Sequence, residues 1–206
     1  MFEEALTKQA VKFFAKFSRF KDFYLVGGTA LALQIGHRIS VDFDFFSQKE
    51  LPINLLQKVK QVFPGIEIKV GYKEARQQIT FLLGGIKTTF FYYPYPVIKP
   101  FKKYKNTLLA SIEEIAAMKA FAIGKRLSYK DYIDWYFLLS EKRVNLQQVI
   151  ELSKKKFGGD FNSRLFLSQL VSIVDLPTSE IEFLRDPVDR KTVQSFLEKT
   201  IRDFKF

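Results

Sequence analysis

The chain has 206 residues, 47% hydrophobic and 27% charged; that length suits one domain, or one domain with an appendage, and that composition excludes a disordered chain. Lys and Arg number 33 against 22 Asp and Glu, and a net charge of +11 favours polyanionic partners: nucleic acid, phosphorylated small molecules or an anionic membrane face. With 0 Cys, disulfide frameworks, thiolate metal sites and thiol catalysis are excluded, and 1 His leaves few partners for a His-based triad.

Residues 3–20 carry apolar positions at helical spacing (Leu6, Ala10, Phe13, Phe14, Phe17). A short buried strand, Phe23 to Val26, ends at Gly27-Gly28, and a brief helix runs from Thr29 to Ile35. Val41 to Phe46 reads as a strand, 52–63 as an amphipathic helix stopped by Pro64-Gly65. Three strands follow, Ile66 to Tyr72, Gln77 to Leu83 and Ile86 to Tyr93, the last two joined by a Gly84-Gly85 hairpin signal. Pro94 to Asn106, with three prolines and a basic cluster, is the best linker candidate.

Beyond it the pattern is helical only: 112–125, 130–140, 146–157, 161–173, 179–185 and 188–203. Ser111 and Glu114 are spaced as a reciprocal capping box. The expected fold is α+β: a small mixed β-sheet core with flanking helices over 1–106, then a C-terminal helical bundle over 107–206 that completes the nucleotide and acceptor site. The 23 Phe residues point to a Phe-packed core. No apolar run approaches the ~18 residues of a membrane span. The start MFEEALTKQA lacks a signal-peptide layout, so a cytoplasmic protein with no membrane partner is expected.

The informative stretch is Leu25 to Phe46. Gly27-Gly28 lies between a strand and a helix, where missing side chains let the backbone approach a ligand and the helix start favours an anion such as a triphosphate; an ordinary strand-to-helix turn is the alternative. Asp42 and Asp44, two apart on a strand, share a face, with Val41, Phe43 and Phe45 turned into the core. Two adjacent carboxylates on a Phe-rich strand repel and are costly to desolvate, which Mg²⁺ relieves. An edge strand with a solvated outer face is the other reading. Together the two features suit metal-assisted nucleotidyl transfer, with two Mg²⁺ ions.

This segment resembles the signature of the polymerase-β-type nucleotidyltransferase superfamily: a Gly-Gly or Gly-Ser pair, then Asp-x-Asp. More narrowly, Gly27 to Leu33 with Gly36-His-Arg-x-Ser-x-Asp-x-Asp-Phe-Phe46 is similar to the AbiEii/AbiGii toxin family. A second match is Glu114-Ile-Ala-Ala-Met-Lys119 with Lys130-Asp131-Tyr-Ile-Asp134. The resemblance implies transfer of a nucleoside monophosphate from an NTP to RNA, with the tRNA 3′ end as acceptor and a cognate antitoxin as partner. It also implies that Gly27, Gly28 and Thr29 bind nucleotide, that Asp42 and Asp44 hold Mg²⁺ and act in catalysis, and that Lys119 and Asp131 complete the site. A catalytically inactive binding module and a protein-adenylylating enzyme are the alternatives.

The superfamily's third carboxylate has no acid on the expected strand Ile86 to Tyr93; Thr88 or Thr89 stands in its place, and Glu67 is the nearest substitute. Arg38 suits either a phosphate or an ion pair with Asp42 or Asp44. His37 reads as a packing or hydrogen-bonding residue, and Trp135 as core. Lys99, Lys102, Lys103 and Lys105 interleave with Phe101 and Tyr104 and suit RNA, as do Lys125, Arg126 and Lys130; a solvated linker is the alternative for the aromatics. Lys154-Lys155-Lys156 reads as a helix C-terminus complementing its dipole.

Overall fold

A computed structural model describes residues 1–123, 125, 128–173, 176–177 and 180–205. Arg126, expected among the acceptor-binding residues, lies outside them. The first helix, α1 (Lys8–Phe14), is capped by the Thr7 hydroxyl and runs on as a 3₁₀ turn, Ala15–Arg19. Strand β1 (Tyr24–Val26) leads directly into α2 (Gly27–Ile35), and β2 (Phe43–Ser47) and α3 (Leu55–Val62) follow. Then come β3 (Ile68–Glu74), β4 (Gln78–Leu83) and β5 (Ile86–Tyr92). The β4–β5 turn is Gly84-Gly85, with φ of 54° and 86°, the left-handed pair that a two-residue hairpin requires.

The expected linker 94–106 contains a strand. β6 (Lys102–Tyr104) and β7 (Thr107–Leu109) form a hairpin across Lys105-Asn106, both at positive φ, and β7 pairs in parallel with β1. The division at 106/107 therefore falls in a tight turn of the sheet, and the second half is not purely helical. The seven strands run in the order β3-β4-β5-β2-β1-β7-β6.

The helices that follow are α4 (Ile112–Ala122), α5 (Tyr129–Ser140), α6 (Leu146–Phe157), α7 (Ser163–Leu170) and α8 (Arg190–Asp203). The helix expected over 179–185 is not there among the described residues. Glu182 and Phe183 instead run extended beside Arg38 and Ile39: Ile39 N–H donates to Glu182 C=O (2.8 Å) and Leu184 N–H to His37 C=O (3.2 Å). The apolar residues Ile181, Phe183 and Leu184 carry no strand partner visible in local spacing, so the helical reading followed periodicity where a tertiary contact decides.

Side-chain alternation gives the sheet two faces. Phe43, Phe45, Phe81 and Phe90 are buried on one face. Phe17 meets them from the 3₁₀ turn, with its ring centroid 4.9 Å from Phe43 and 4.5 Å from Phe45, and Phe63 beyond α3 closes on Phe13 and Phe17. The expected Phe core is this layer, in tilted, edge and stacked contacts that each add to area burial. Val41, expected in it, is exposed, because β2 starts only at Phe43. The other face carries a cross-strand row, Asp44, Thr89, Thr80 and Tyr72, and beside it Phe46, Phe91 and Gln78.

Two expected capping roles are replaced by one buried clamp. The Ser111 hydroxyl does accept from Glu114 N–H (3.3 Å). The Glu114 carboxylate, however, accepts from the Ile98 and Lys99 N–H groups and from Lys156 Nζ (2.8 Å). Lys156 is 3% exposed, so it does not serve as a solvated dipole complement; its charge is neutralised internally and fastens α6 to α4. Stacked Phe121 and Phe157, with centroids 4.2 Å apart, join the same two helices. Trp135 is fully buried against Phe166, as expected of a core residue.

Candidate active site

The chain leaves β1 at Val26 and turns into α2 through Gly27, whose φ of +69° suits glycine. A Cβ on Gly27 would stand 3.0 Å from Asp44 Oδ2, and one on Gly28 would stand 2.5 Å from Arg38 Nη2. The glycine pair is therefore where a carboxylate and a guanidinium close onto the first turn of a helix. α2 opens without a side-chain cap, which leaves its first N–H groups to other partners.

Two clefts meet here, sharing Asp44 and Lys119 as their dividing wall. The smaller, about 390 Å³, is lined by Gly28, Thr29, Arg38, Ser40, Asp42 and Lys130, among others. It is also acidic, with Asp131, Glu180 and Glu182 on its walls. The larger, about 650 Å³, lies between the sheet and α4 and is lined by aromatic and apolar side chains including Phe46, Phe91, Tyr93, Met118 and Phe121.

Asp42 and Asp44 both line the smaller cleft; Asp44 alone reaches the larger. Asp42 precedes β2, and its place is set through its backbone: the Thr29 hydroxyl donates to the Asp42 carbonyl and lies 2.8 Å from Ser40 Oγ. Thr29 thus fastens the loop that carries Asp42. Thr89 stands in register with Asp44, where the third acid was sought, and its hydroxyl is 3.2 Å from Thr80 Oγ1; Thr88 is buried on the opposite face. Glu67 is exposed beside Lys69, next to the edge strand β3 and outside the linings of both clefts. No cluster of three or more His, Cys, Asp or Glu side chains suited to a metal occurs among the described residues.

Behind the clefts lies a buried charge network that spacing alone did not assemble. Asp134, on α5, is fully buried. It accepts from Arg38 Nε (2.8 Å) and Nη2 (3.1 Å), from His37 Nε2 (2.7 Å), and pairs with Lys119 Nζ (2.6 Å). Lys119 also pairs with Asp131 at 2.7 Å. Arg38 is an ion-pair residue, and Asp134 is an acid it pairs with. One turn of helix separates Asp131 from Asp134, so a single face of α5 receives Lys119 from α4 and Arg38 from the loop after α2. The Asp-x-x-Asp spacing was the available signal for Asp134.

Burial alone would raise the Asp134 carboxyl, but Arg38, Lys119 and the His37 hydrogen bond overcome it and hold the group well below the usual carboxylate range. Burial pushes His37 down; the Asp134 hydrogen bond opposes that, while Arg38 and Lys119 add to it. His37 is thus a neutral imidazole donating from Nε2, its buried Nδ1 without a partner among the described residues. Since His37 resists protonation when folded, its stability contribution is complete above the unfolded value of 6.5 and is lost as pH falls from there toward the lower folded value. The slope in that window is at most about 1.4 kcal/mol per pH unit. Denaturant unfolding at pH 7 and pH 5 should show this loss, and His37→Asn, which removes the sole histidine, should reduce it. An equal loss in the variant would contradict the assignment.

The expected acceptor lysines separate. Lys125 and Lys130 line the larger and the smaller cleft respectively. Lys99, Lys102 and Lys103 are exposed outside both linings, Lys105 pairs with Glu3, and Phe101 packs on Tyr24 at 4.8 Å. No helix among the described residues is long and apolar enough to cross a membrane.

Comparison with known proteins bears on the fold and the family. An uncharacterized protein of Aquifex aeolicus, aq_aa25, is 33% identical over 186 residues, 89% of this chain and 88% of that protein. A crystal structure of a candidate nucleotidyltransferase from H. pylori superposes with a TM-score of 0.59 at 22% identity, covering 95% of this chain and 94% of its own. JHP933 from Helicobacter pylori does so with a TM-score of 0.51 at 19% identity, over 96% and 97%. Both share the fold. The family described as nucleotidyl transferase AbiEii toxin, type IV toxin–antitoxin system, matches residues 12–205, and the chain belongs to that nucleotidyltransferase family.

Proposed function

We propose that this nucleotidyltransferase transfers a nucleoside monophosphate from a Mg²⁺-bound NTP to an RNA acceptor, the 3′ end of tRNA being the expected one, in a toxin–antitoxin setting. The observation that carries the reading is the convergence of Asp44, Gly27 and the start of α2 at the wall between the two clefts. The donor chemistry fits a hard cation: two carboxylates, with further acids nearby that would repel a bare triphosphate and admit one accompanied by Mg²⁺. Asp42 and Asp44 would hold the ions, which when bound neutralise charge on the phosphates and ease ionisation of the acceptor hydroxyl.

The remaining work falls to the protein. Gly28 and the first N–H groups of α2 admit phosphate oxygens at close range. Lys130 adds charge at the rim, and Lys119, held by Asp131 and Asp134, stands with Asp44 in the wall between the clefts. The acceptor oxygen forms a bond to the α-phosphorus, the bond to the bridging oxygen breaks, pyrophosphate departs, and the hydroxyl proton passes to water. With Thr89 where the third acid would stand, a slow reaction, or binding of the same ligands without turnover, is the second reading.

Incubation with each α-labelled NTP, Mg²⁺, total RNA and total protein tests the proposal. Label on RNA supports it; label on protein only, or on neither, overturns it. For the acceptor surface, each lysine that neutralises a phosphate contributes about 0.7 to the slope of log affinity against log salt for a single strand. Lys125→Gln and Lys130→Gln should each flatten the slope by that amount. The same measurement on Lys102→Gln with Lys103→Gln asks whether the body of the acceptor crosses the β6 edge, and an unchanged slope would place it elsewhere.

A further inference from the structure

We infer that the larger, aromatic cleft receives the 3′-terminal nucleotide of a single-stranded RNA acceptor, with Tyr72 stacking on its base and Lys87 meeting its phosphate. The inference rests on the transfer reading above and adds which cleft takes which reactant. In-line displacement requires the attacking and leaving oxygens on opposite sides of the phosphorus. The polar cleft contains the start of α2 and the carboxylates, so the phosphates enter there and pyrophosphate leaves that way. Asp44, shared by both clefts, marks the reacting phosphorus, and the nucleophile must then arrive from the aromatic side.

The cleft's chemistry agrees. Its volume of about 650 Å³ suits a nucleotide. One wall is the flat face of the sheet, and the register brings Tyr72, Thr80, Thr89 and Asp44 into a single row across four strands. That row leads from the exposed edge to the reacting centre. Tyr72 is 50% exposed at its outer end, a ring offered to a partner rather than to the core. Lys87 lies on β5 two residues from Thr89 and so on the same face; with Lys125 it gives the rim positive charge, while Asp44 is the one acid among the described residues lining this cleft. Rings for a base and cations for its backbone are the pairing that recognises single-stranded nucleic acid.

The test uses the full chain and an RNA oligonucleotide carrying 2-aminopurine at its 3′ terminus, whose fluorescence falls on stacking. Wild-type protein should quench it, and should quench much less when the probe sits several residues inward. Tyr72→Ala should weaken RNA binding about 5-fold or more and remove the quench, while Tyr72→Phe retains both. Lys87→Gln should weaken RNA binding and lower its salt dependence. Binding of a non-hydrolysable Mg²⁺–NTP analogue should be unchanged in all three. Loss of analogue binding with RNA quenching intact would overturn the assignment, making this the compartment of the NTP's own base; equal quenching at terminal and inward positions would also overturn it. Terminal quenching without any label transfer would sink the transferase reading and leave the cleft assignment standing.

Discussion

Asp44→Asn is expected to abolish detectable label transfer from NTP to RNA while leaving the circular dichroism spectrum unchanged. Asn keeps the volume beside Gly27, where a Cβ would stand only 3.0 Å from Asp44 Oδ2, so the turn has no steric reason to move. What disappears is one negative charge at the single strand residue common to both clefts. Removing one preorganised electrostatic group from a reacting centre costs on the order of 10²–10³-fold in rate. The loss here should reach at least that scale, because the same charge is proposed to hold the cation that accompanies the triphosphate. Affinity for a Mg²⁺–NTP analogue should fall in parallel, and raised Mg²⁺ should recover part of it. Transfer at the wild-type rate by a folded Asp44→Asn protein would remove Asp44 from the metal site and the proposed chemistry with it.

The residues whose roles follow from local spacing were readable in the sequence. Phe43 and Phe45 alternate with Asp44, so one face had to be core and the other polar; Gly84-Gly85 could close a hairpin because glycine tolerates the left-handed region at both positions. Ser111 capped its helix as its side chain dictates. What spacing could not supply were partners distant in sequence. Glu114 had the position of a reciprocal cap, yet Lys156, 42 residues away, and the Ile98 and Lys99 amides claim its carboxylate. Arg38 was readable as a paired or phosphate-binding cation, but its pairing with Asp134, 96 residues away, was not. Lys102 to Tyr104 fell inside the expected linker and Thr107 to Leu109 was assigned to no element, because three residues carry too little pattern to declare strands that only pairing makes. The extended run at Glu182 and Phe183 is the same case.

Asp134 carries the second large effect. Its carboxylate joins α5 to α4 through Lys119 and to the loop after α2 through His37 and Arg38. Asp134→Ala takes from buried Arg38 the carboxylate that accepts from its Nε and Nη2, while Lys119 retains Asp131. Removing one partner of a buried pair costs about 3–5 kcal/mol. At about 2–4 °C per kcal/mol for a chain of this size, that lowers the melting temperature by roughly 6–20 °C. Asp134→Asn, which keeps some hydrogen bonds, should fall between. Stability alone would make the network a staple, and the contact of Arg38 with the glycine turn argues for more: its Nη2 fills the space where a Gly28 side chain would stand. The double replacement Arg38→Met with Asp134→Leu separates the two roles. Apolar groups of similar volume can substitute for a buried ion pair at little cost, so the double variant should regain the part of the melting temperature that Arg38 accounts for, the part lost through His37 and Lys119 remaining. If Arg38 is also a positioning residue for the phosphate-binding turn, transfer stays depressed, with the loss in KM for NTP larger than in kcat. Recovery of transfer alongside that part of the stability would show that the network only holds the two halves together.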